Sequence, residues 1–215
     1  MSDKYNSIIF SVLYIGFVVC SKVFLDASYL KLFIYIGLGI AGIFLFKKDY
    51  KESFKQWKEH PVKNLLFLIG LFFAHLILVA LVSIPGQLLY PDVDSMNDTN
   101  IEGAVGTMSP VLIILAMGIL GPLVEEYFFR FVLISRASSK VPAVLCVIVS
   151  AVLFTLIHLH AFTVQEIVLN LDKLAAGLLY GTALVLTKNV TVPAGVHILN
   201  NVSGLSLMIL SYYLG

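Results

Sequence analysis

The chain has 215 residues, of which 59% are hydrophobic and 13% are charged, and its formal net charge is +1. A soluble domain is about half apolar and about one quarter charged, so this composition excludes a soluble protein and predicts a membrane protein. The near-neutral charge also argues against an extended nucleic-acid-binding surface.

The hydropathy pattern predicts an all-α polytopic membrane protein, because a helix needs about 20 apolar residues to cross a bilayer. Val18-Val19-Cys20-Ser21 fits a signal-cleavage site poorly, so we interpret the first apolar segment as an uncleaved transmembrane helix. About seven spans are predicted, at residues 7–24, 30–46, 64–84, 110–134, 142–159, 167–186 and 193–214.

Two loops differ in charge. Residues 47–61 contain five lysines, and Phe54 and Trp57 within them predict a short amphipathic helix on the membrane surface. Residues 85–107 contain four acidic residues and no basic residue. Basic loops stay in the cytoplasm, so we expect the N-terminus inside and the C-terminus outside. In the sixth span, Gly177 and Gly181 predict a close helix contact.

The fourth span contains Glu125, Glu126 and Arg130. Charges in a membrane cost several kcal/mol each, so they indicate a functional site that faces the protein interior. Glu126 and Arg130 are four residues apart and are predicted to pair on one helix face. Glu125 points about 100° away and stays available for chemistry. A purely structural ion pair is the alternative, and it leaves Glu125 unexplained.

Two later spans carry further polar residues. His158 ends the fifth span, and His197 and Asn201 lie four apart in the seventh. Each alone is compatible with a structural role, such as a helix-to-helix hydrogen bond of about 0.6–2 kcal/mol. Asn200 points about 100° away from Asn201. A carboxylate, two histidines and an amide on three separate spans together indicate chemistry.

This set of groups suits hydrolysis of an amide or ester bond. A carboxylate in an apolar cavity binds a proton more readily and becomes a useful general base that activates water. Histidine and asparagine N–H groups can donate to the oxyanion that forms when water attacks a carbonyl. A glutamate and two histidines are also a familiar zinc set, although the sequence lacks a His-Glu-x-x-His helix.

The three clusters resemble the three motifs of the type II CAAX prenyl protease and bacteriocin-processing (CPBP or Abi) family of intramembrane glutamic endopeptidases, and the chain is compact like its bacterial members. The resemblance covers about residues 108–214. Residues 1–107 are predicted to be a variable N-terminal part with three spans, a basic cytoplasmic loop and an acidic outer loop. Residues 108–215 are predicted to be the catalytic core, in the last four spans. The matching motifs are Glu125-Glu126-x-x-x-Arg130, Phe154-x-x-x-His158 and His197-x-x-x-Asn201.

The resemblance implies a role for each motif residue. Glu125 matches the catalytic base, and His158 matches the histidine that helps to activate the water. His197 and Asn201 match the oxyanion hole, and we assign Glu126 and Arg130 support roles. No metal cofactor is implied. Zinc remains possible but is not favoured.

The expected protein is a multi-pass endopeptidase of the cell membrane. Its partners would be a peptide or small membrane-protein substrate and the lipid bilayer, with no nucleic acid. A non-catalytic scaffold or bacteriocin self-immunity protein of the same fold is the main alternative. A small transporter is a third possibility, but the sequence shows no internal repeat.

The depths of these residues agree poorly. His158 lies 18 residues after Lys140, about 27 Å of helix, and so near the outer face. His197 lies near the inner end of its span. We therefore expect that residues 141–145 run along the surface, that helices are strongly tilted, or that a re-entrant turn begins at Pro193. We also expect a water-filled cavity at the site.

Overall fold

A computed structural model describes residues 3–23 and 29–214. The structure is 89% helical and has no strand within these residues, which confirms the predicted all-α polytopic membrane protein. Phe24, the end of the first predicted span, lies outside the described residues. The helices are α1 (Asp3–Val23), α2 (Tyr29–Leu45), α3 (Lys47–Glu59), α4 (Pro61–Leu89), α5 (Met96–Thr107), α6 (Pro110–Ser139), α7 (Ala143–His158), α8 (Val164–Leu169), α9 (Leu171–Thr187) and α10 (Thr191–Leu214).

Six of the seven predicted spans each fall on one of these helices. The span predicted at residues 167–186 begins in α8 and continues in α9 after a break at Asn170. By length and composition, α1, α4, α6 and α10 can cross a membrane. The bent pair of α2 and α3, with a 72° angle between them, would count as a fifth. The number seven therefore remains a prediction. The short amphipathic helix predicted around Phe54 and Trp57 is observed as α3.

Helix α6 is the centre of the fold. Helices α1, α2, α7, α9 and α10 all pack against it. Aromatic side chains fill much of the core, and the Phe46 and Phe131 rings stack with their centroids 5.3 Å apart. Tyr127 packs between these rings and Phe10 of α1. The helices outside the last four spans thus contribute directly to the core around α6.

The backbone of α6 alternates between two helical forms. Residues Ile114–Leu120 and Tyr127–Arg136 are π-helical, and the short α-helical segment Gly121–Glu126 lies between them. Wide turns of this kind are rare and frequently mark functional sites. Pro122 lies where the first π-helical stretch gives way to the α-helical segment, and it has no backbone N–H to donate, which interrupts the regular hydrogen-bond pattern.

Helix α9 approaches α7 closely through glycine, as the small-residue spacing predicts. A Cβ atom on Gly177 would lie 2.9 Å from the Ala151 Cα of α7. One on Gly181 would lie 3.1 Å from side-chain atoms of Ile134 and Val147. Only a residue without a side chain allows the backbones to come this close.

The ends of α7 and α10 are fixed by long-range hydrogen bonds. The Lys22 ammonium of α1 donates to the Leu159 carbonyl at 2.6 Å, just beyond the end of α7. Asn189 accepts from the Thr191 backbone N–H at 2.9 Å and donates to the Ser53 carbonyl of α3 at 3.0 Å. These contacts set the positions of the two helices that carry the predicted histidines.

Candidate functional site

The two adjacent carboxylates lie inside the protein. Glu126 is fully buried, and Glu125 is only 8% exposed. Both belong to the α-helical segment between the two π-helical stretches of α6. Buried charges need partners close by, and the surrounding helices supply them.

His197 of α10 contacts both carboxylates. Its Nδ1 lies 3.0 Å from Glu126 Oε1, and its Nε2 lies 3.6 Å from Glu125 Oε2. The ring is 4% exposed, so these contacts are shielded from solvent. The helical phase of Glu125 and Glu126 separates their directions, but it does not predict that one imidazole reaches both. Long glutamate side chains on either side of a buried ring make that possible.

Glu126 also pairs with Arg130, as their spacing predicts. Arg130 Nε lies 3.2 Å from Glu126 Oε2, and both side chains are fully buried. The N–H direction does not meet hydrogen-bond geometry at this distance, so the contact is an ion pair only. The guanidinium carbon also lies 5.1 Å from the Phe154 ring centroid and 5.3 Å from that of Tyr180. Cation–π contacts therefore supplement the single carboxylate partner.

His158 has a defined hydrogen bond but does not join the carboxylates directly. Its Nδ1 lies 2.7 Å from the Phe154 carbonyl, where it can only donate. In the neutral ring this leaves Nε2 as the proton acceptor. The Phe154 ring packs against both histidines, with centroids 4.8 Å from His158 and 5.7 Å from His197. His158 is thus one helical turn beyond the residue that contacts His197.

The positions of His158 and Pro193 relate to the difference in membrane depth that the sequence predicts for the site residues. Residues from Ala143 to His158 form a single helix, and Pro193 lies in the first turn of α10. Pro193 itself is therefore helical and does not form a turn, because proline is readily accommodated at the start of a helix. The depth of these residues in the membrane stays a prediction. Phe154, rather than His158, is the α7 residue that meets His197.

Asn201 makes a hydrogen bond that the sequence did not reveal. Its Nδ2 donates to the Met117 carbonyl of α6 at 3.2 Å. In a π-helix the N–H of residue 122 would bond to that carbonyl, but residue 122 is proline. Buried backbone carbonyls in a membrane protein need a donor from within the protein. Asn201 supplies it, and its second N–H is not used in this bond.

Three site neighbours were missed by the sequence analysis. The Tyr180 ring packs on His197 with centroids 5.1 Å apart, and its hydroxyl lies 3.3 Å from His75 Nδ1. Tyr35 of α2 faces the Glu125 carboxylate. No residue spacing in the sequence marks a tyrosine of a membrane helix as a site residue. His75 was detectable, because an ionisable residue in the middle of an apolar span indicates function by itself.

Glu125 and His197 are buried, whereas His158 and Asn201 are half-buried. Of two surface cavities, one of about 460 Å³ lies between α4, the α4–α5 loop, α5 and α8, and one of about 140 Å³ lies beside α3. Neither is lined by Glu125, His158 or His197. The water-filled cavity expected at the site is therefore not one of these two. Within residues 3–23 and 29–214, no group of three or more His, Cys, Asp or Glu side chains is arranged to hold a metal ion.

A comparison with known protein families gives a match that includes Glu125, His158 and His197. Residues 107–203 match the family model described as type II CAAX prenyl endopeptidase Rce1-like. This part of the chain is an Rce1-like domain. The match confirms the resemblance to the CPBP or Abi family for just under half of the chain. Searches of curated proteins and of solved structures gave no match.

The Rce1-like domain contains all three motifs and some of the partners that surround them. Phe154, Tyr180 and Asn201 lie within the matched residues, together with the two glutamates and both motif histidines. His75 and Tyr35 lie outside them. The N-terminal helices thus add polar groups to a site whose motif residues all belong to the Rce1-like domain.

Proposed function

We propose that the protein is an intramembrane glutamic endopeptidase that hydrolyses a peptide bond of a peptide or small membrane protein. The Rce1-like domain indicates a CAAX protease-type intramembrane endopeptidase fold. The observation that carries the finer proposal is the placement of His197 between Glu125 and Glu126 in a buried site. A base and an oxyanion donor are then adjacent, as hydrolysis by an activated water requires.

In the proposed mechanism Glu125 takes a proton from a water, and the water oxygen attacks the peptide carbonyl. Glu126 accepts from Nδ1–H of His197 and stabilises the imidazolium form, in which Nε2–H is also a donor. Once Glu125 is protonated, it no longer attracts Nε2–H as strongly. That N–H can then stabilise the oxyanion, aided by the remaining N–H of Asn201.

The later steps use the same groups. Collapse of the tetrahedral intermediate breaks the carbon–nitrogen bond, and the proton held by Glu125 passes to the leaving amine. His158, with Nδ1 committed to the Phe154 carbonyl, presents Nε2 as the acceptor that helps to orient the water. Arg130 holds Glu126 in place through their buried ion pair.

The proposal includes a location. We place the protein in the cell membrane as a multi-pass protein with its N-terminus inside, which the lysines of α3 and the acidic residues of α5 and the preceding loop support. Metal-free catalysis is part of the proposal. Loss of cleavage with EDTA and its restoration by zinc would contradict it.

The test is cleavage of a broad peptide library by the purified protein and by Glu125→Gln. This change nearly preserves shape and removes the base, so cleavage is expected to fall by about 10²- to 10⁴-fold. Glu102→Gln, an exposed glutamate of α5, is the matched control and should cleave like the wild type. Equal cleavage by wild type and Glu125→Gln would show that Glu125 is not the base.

A non-catalytic scaffold or bacteriocin self-immunity protein is the second candidate. The burial of Glu125 and His197 favours it, because little of either side chain is open to a substrate. The same assay separates the candidates. A wild-type protein that cleaves nothing in the library supports the scaffold, and cleavage that depends on Glu125 supports the protease.

A further inference from the structure

His75 is an unusual residue in its helix. It lies at the midpoint of α4, a 29-residue apolar helix, and it is 2% exposed. The other buried residue of α4 is Gly86, and the rest of the helix is exposed or half-buried. A histidine in an apolar helix costs free energy unless it is paired. The residue therefore needs an explanation that packing alone does not give.

A polar side chain partners the His75 ring. Its Nδ1 lies 3.3 Å from the Tyr180 hydroxyl, and the two rings stack with centroids 5.4 Å apart. Tyr180 lies in the Rce1-like domain, on α9, whereas His75 lies outside it.

Tyr180 leads to one of the two residues assigned to the oxyanion hole. The Tyr180 ring packs on the His197 ring at 5.1 Å and, together with Phe154, encloses it. A single side chain of α4 is thus one residue away from His197.

We propose that His75 is a positioning residue of the active site, supplied from outside the Rce1-like domain, which fixes His197 through Tyr180. This inference rests on the proposed function for its catalytic meaning. The claim that His75 orients His197 does not rest on that function, because the orientation of His197 can be observed without a substrate. Small displacements of catalytic groups are costly, about 10²-fold for a shift of 1 Å.

The first experiment observes His197 directly. The protein contains five histidines, so ¹⁵N-histidine labelling in micelles gives a spectrum that single substitutions can assign. His75→Leu and Tyr180→Phe are each expected to shift the His197 ring signals. His60→Leu removes an exposed histidine at the junction of α3 and α4 and should leave them unchanged. His197 signals that do not respond to His75→Leu overturn the proposal.

Conservative replacements separate positioning from packing. Asparagine places a polar atom near the position of Nδ1, and glutamine places one near Nε2. His75→Asn can keep the contact to Tyr180 and should hold the His197 signals closer to wild type than His75→Leu does. A variant that lowers the melting temperature but leaves these signals unmoved shows packing only, and it contradicts the inference.

The catalytic readout uses the peptides that the wild type cleaves. His75→Leu is expected to lower kcat at least tenfold with little change in KM, because His75 does not touch the substrate. Combined with Tyr180→Phe, the loss should be less than the product of the two single losses. Unchanged kcat in an active protein overturns the proposal. If the wild type cleaves nothing, the proposed function fails, and the His197 signals still decide the role of His75.

Discussion

Helices α4 and α6 are both long enough to cross a membrane, yet they have opposite surroundings. Helix α4 is the more apolar of the two, and almost none of its apolar window is buried. Helix α6 carries two glutamates and two arginines, and more than half of its window is buried. Lipid accepts apolar side chains as readily as a protein core does. In this fold the polar residues, rather than the apolar ones, determine which helix lies at the centre.

The largest expected effect on stability breaks the charge pairing of α6. Arg130→Met leaves the Glu126 charge without its arginine partner, and we expect a loss of about 3–5 kcal/mol in the free energy of unfolding. Unfolding by SDS or urea in micelles measures it.

Arg136→Met is the matched control on the same helix. Arg136 pairs with Asp49 at 2.8 Å, and both side chains are partly exposed, so its loss should cost about 1 kcal/mol or less. Equal losses for the two arginine variants would show that burial of the Glu126–Arg130 pair does not matter.

A second prediction concerns the interrupted backbone of α6. Asn201→Ala leaves the Met117 carbonyl without a donor and should cost about 1–3 kcal/mol. In a Pro122→Ala background residue 122 regains its N–H, so the same change should cost less. A double-mutant cycle measured by thermal unfolding gives the coupling. Strictly additive losses would contradict the link between Pro122 and Asn201.

A third prediction compares glycines in the two environments. Gly177→Ala brings a methyl group against the Ala151 backbone and should cost about 1–3 kcal/mol, because α9 and α7 must separate. Gly70→Ala on α4 meets no atom within 4 Å and should change the melting temperature little. Similar shifts for the two variants would remove the distinction between interior and peripheral helices.

Much of the fold could be predicted from the sequence, since apolar segments and charged loops mark helices and their ends. The ion pair of Glu126 with Arg130 follows from a spacing of four residues. The π-helical turns of α6 could not be predicted, because no sequence periodicity indicates a wider turn. Contacts between helices that are distant in the sequence could not be predicted either. Nothing local links Asn201 to Met117, or His75 to Tyr180.

The candidate site, too, could be predicted from the sequence only in part. The three motifs identify Glu125, His158 and His197, but the residue spacing within each motif does not predict the distances between residues of different motifs. The structure places His197 against both carboxylates and separates His158 from it by the Phe154 ring. Tertiary packing of three helices decides which motif residues touch, and that packing depends on aromatic residues that no motif highlights.

Helix α7 has one further consequence for the surrounding lipid. Its 16 residues from Ala143 to His158 extend about 24 Å, whereas the hydrocarbon core of a bilayer is about 30 Å thick. A bilayer adapts to a short apolar helix by thinning beside it. With the proposed topology, in which the N-terminus is inside, the outer leaflet would dip toward His158. A substrate segment that approaches from this side would cross a shorter stretch of hydrocarbon before it reaches water.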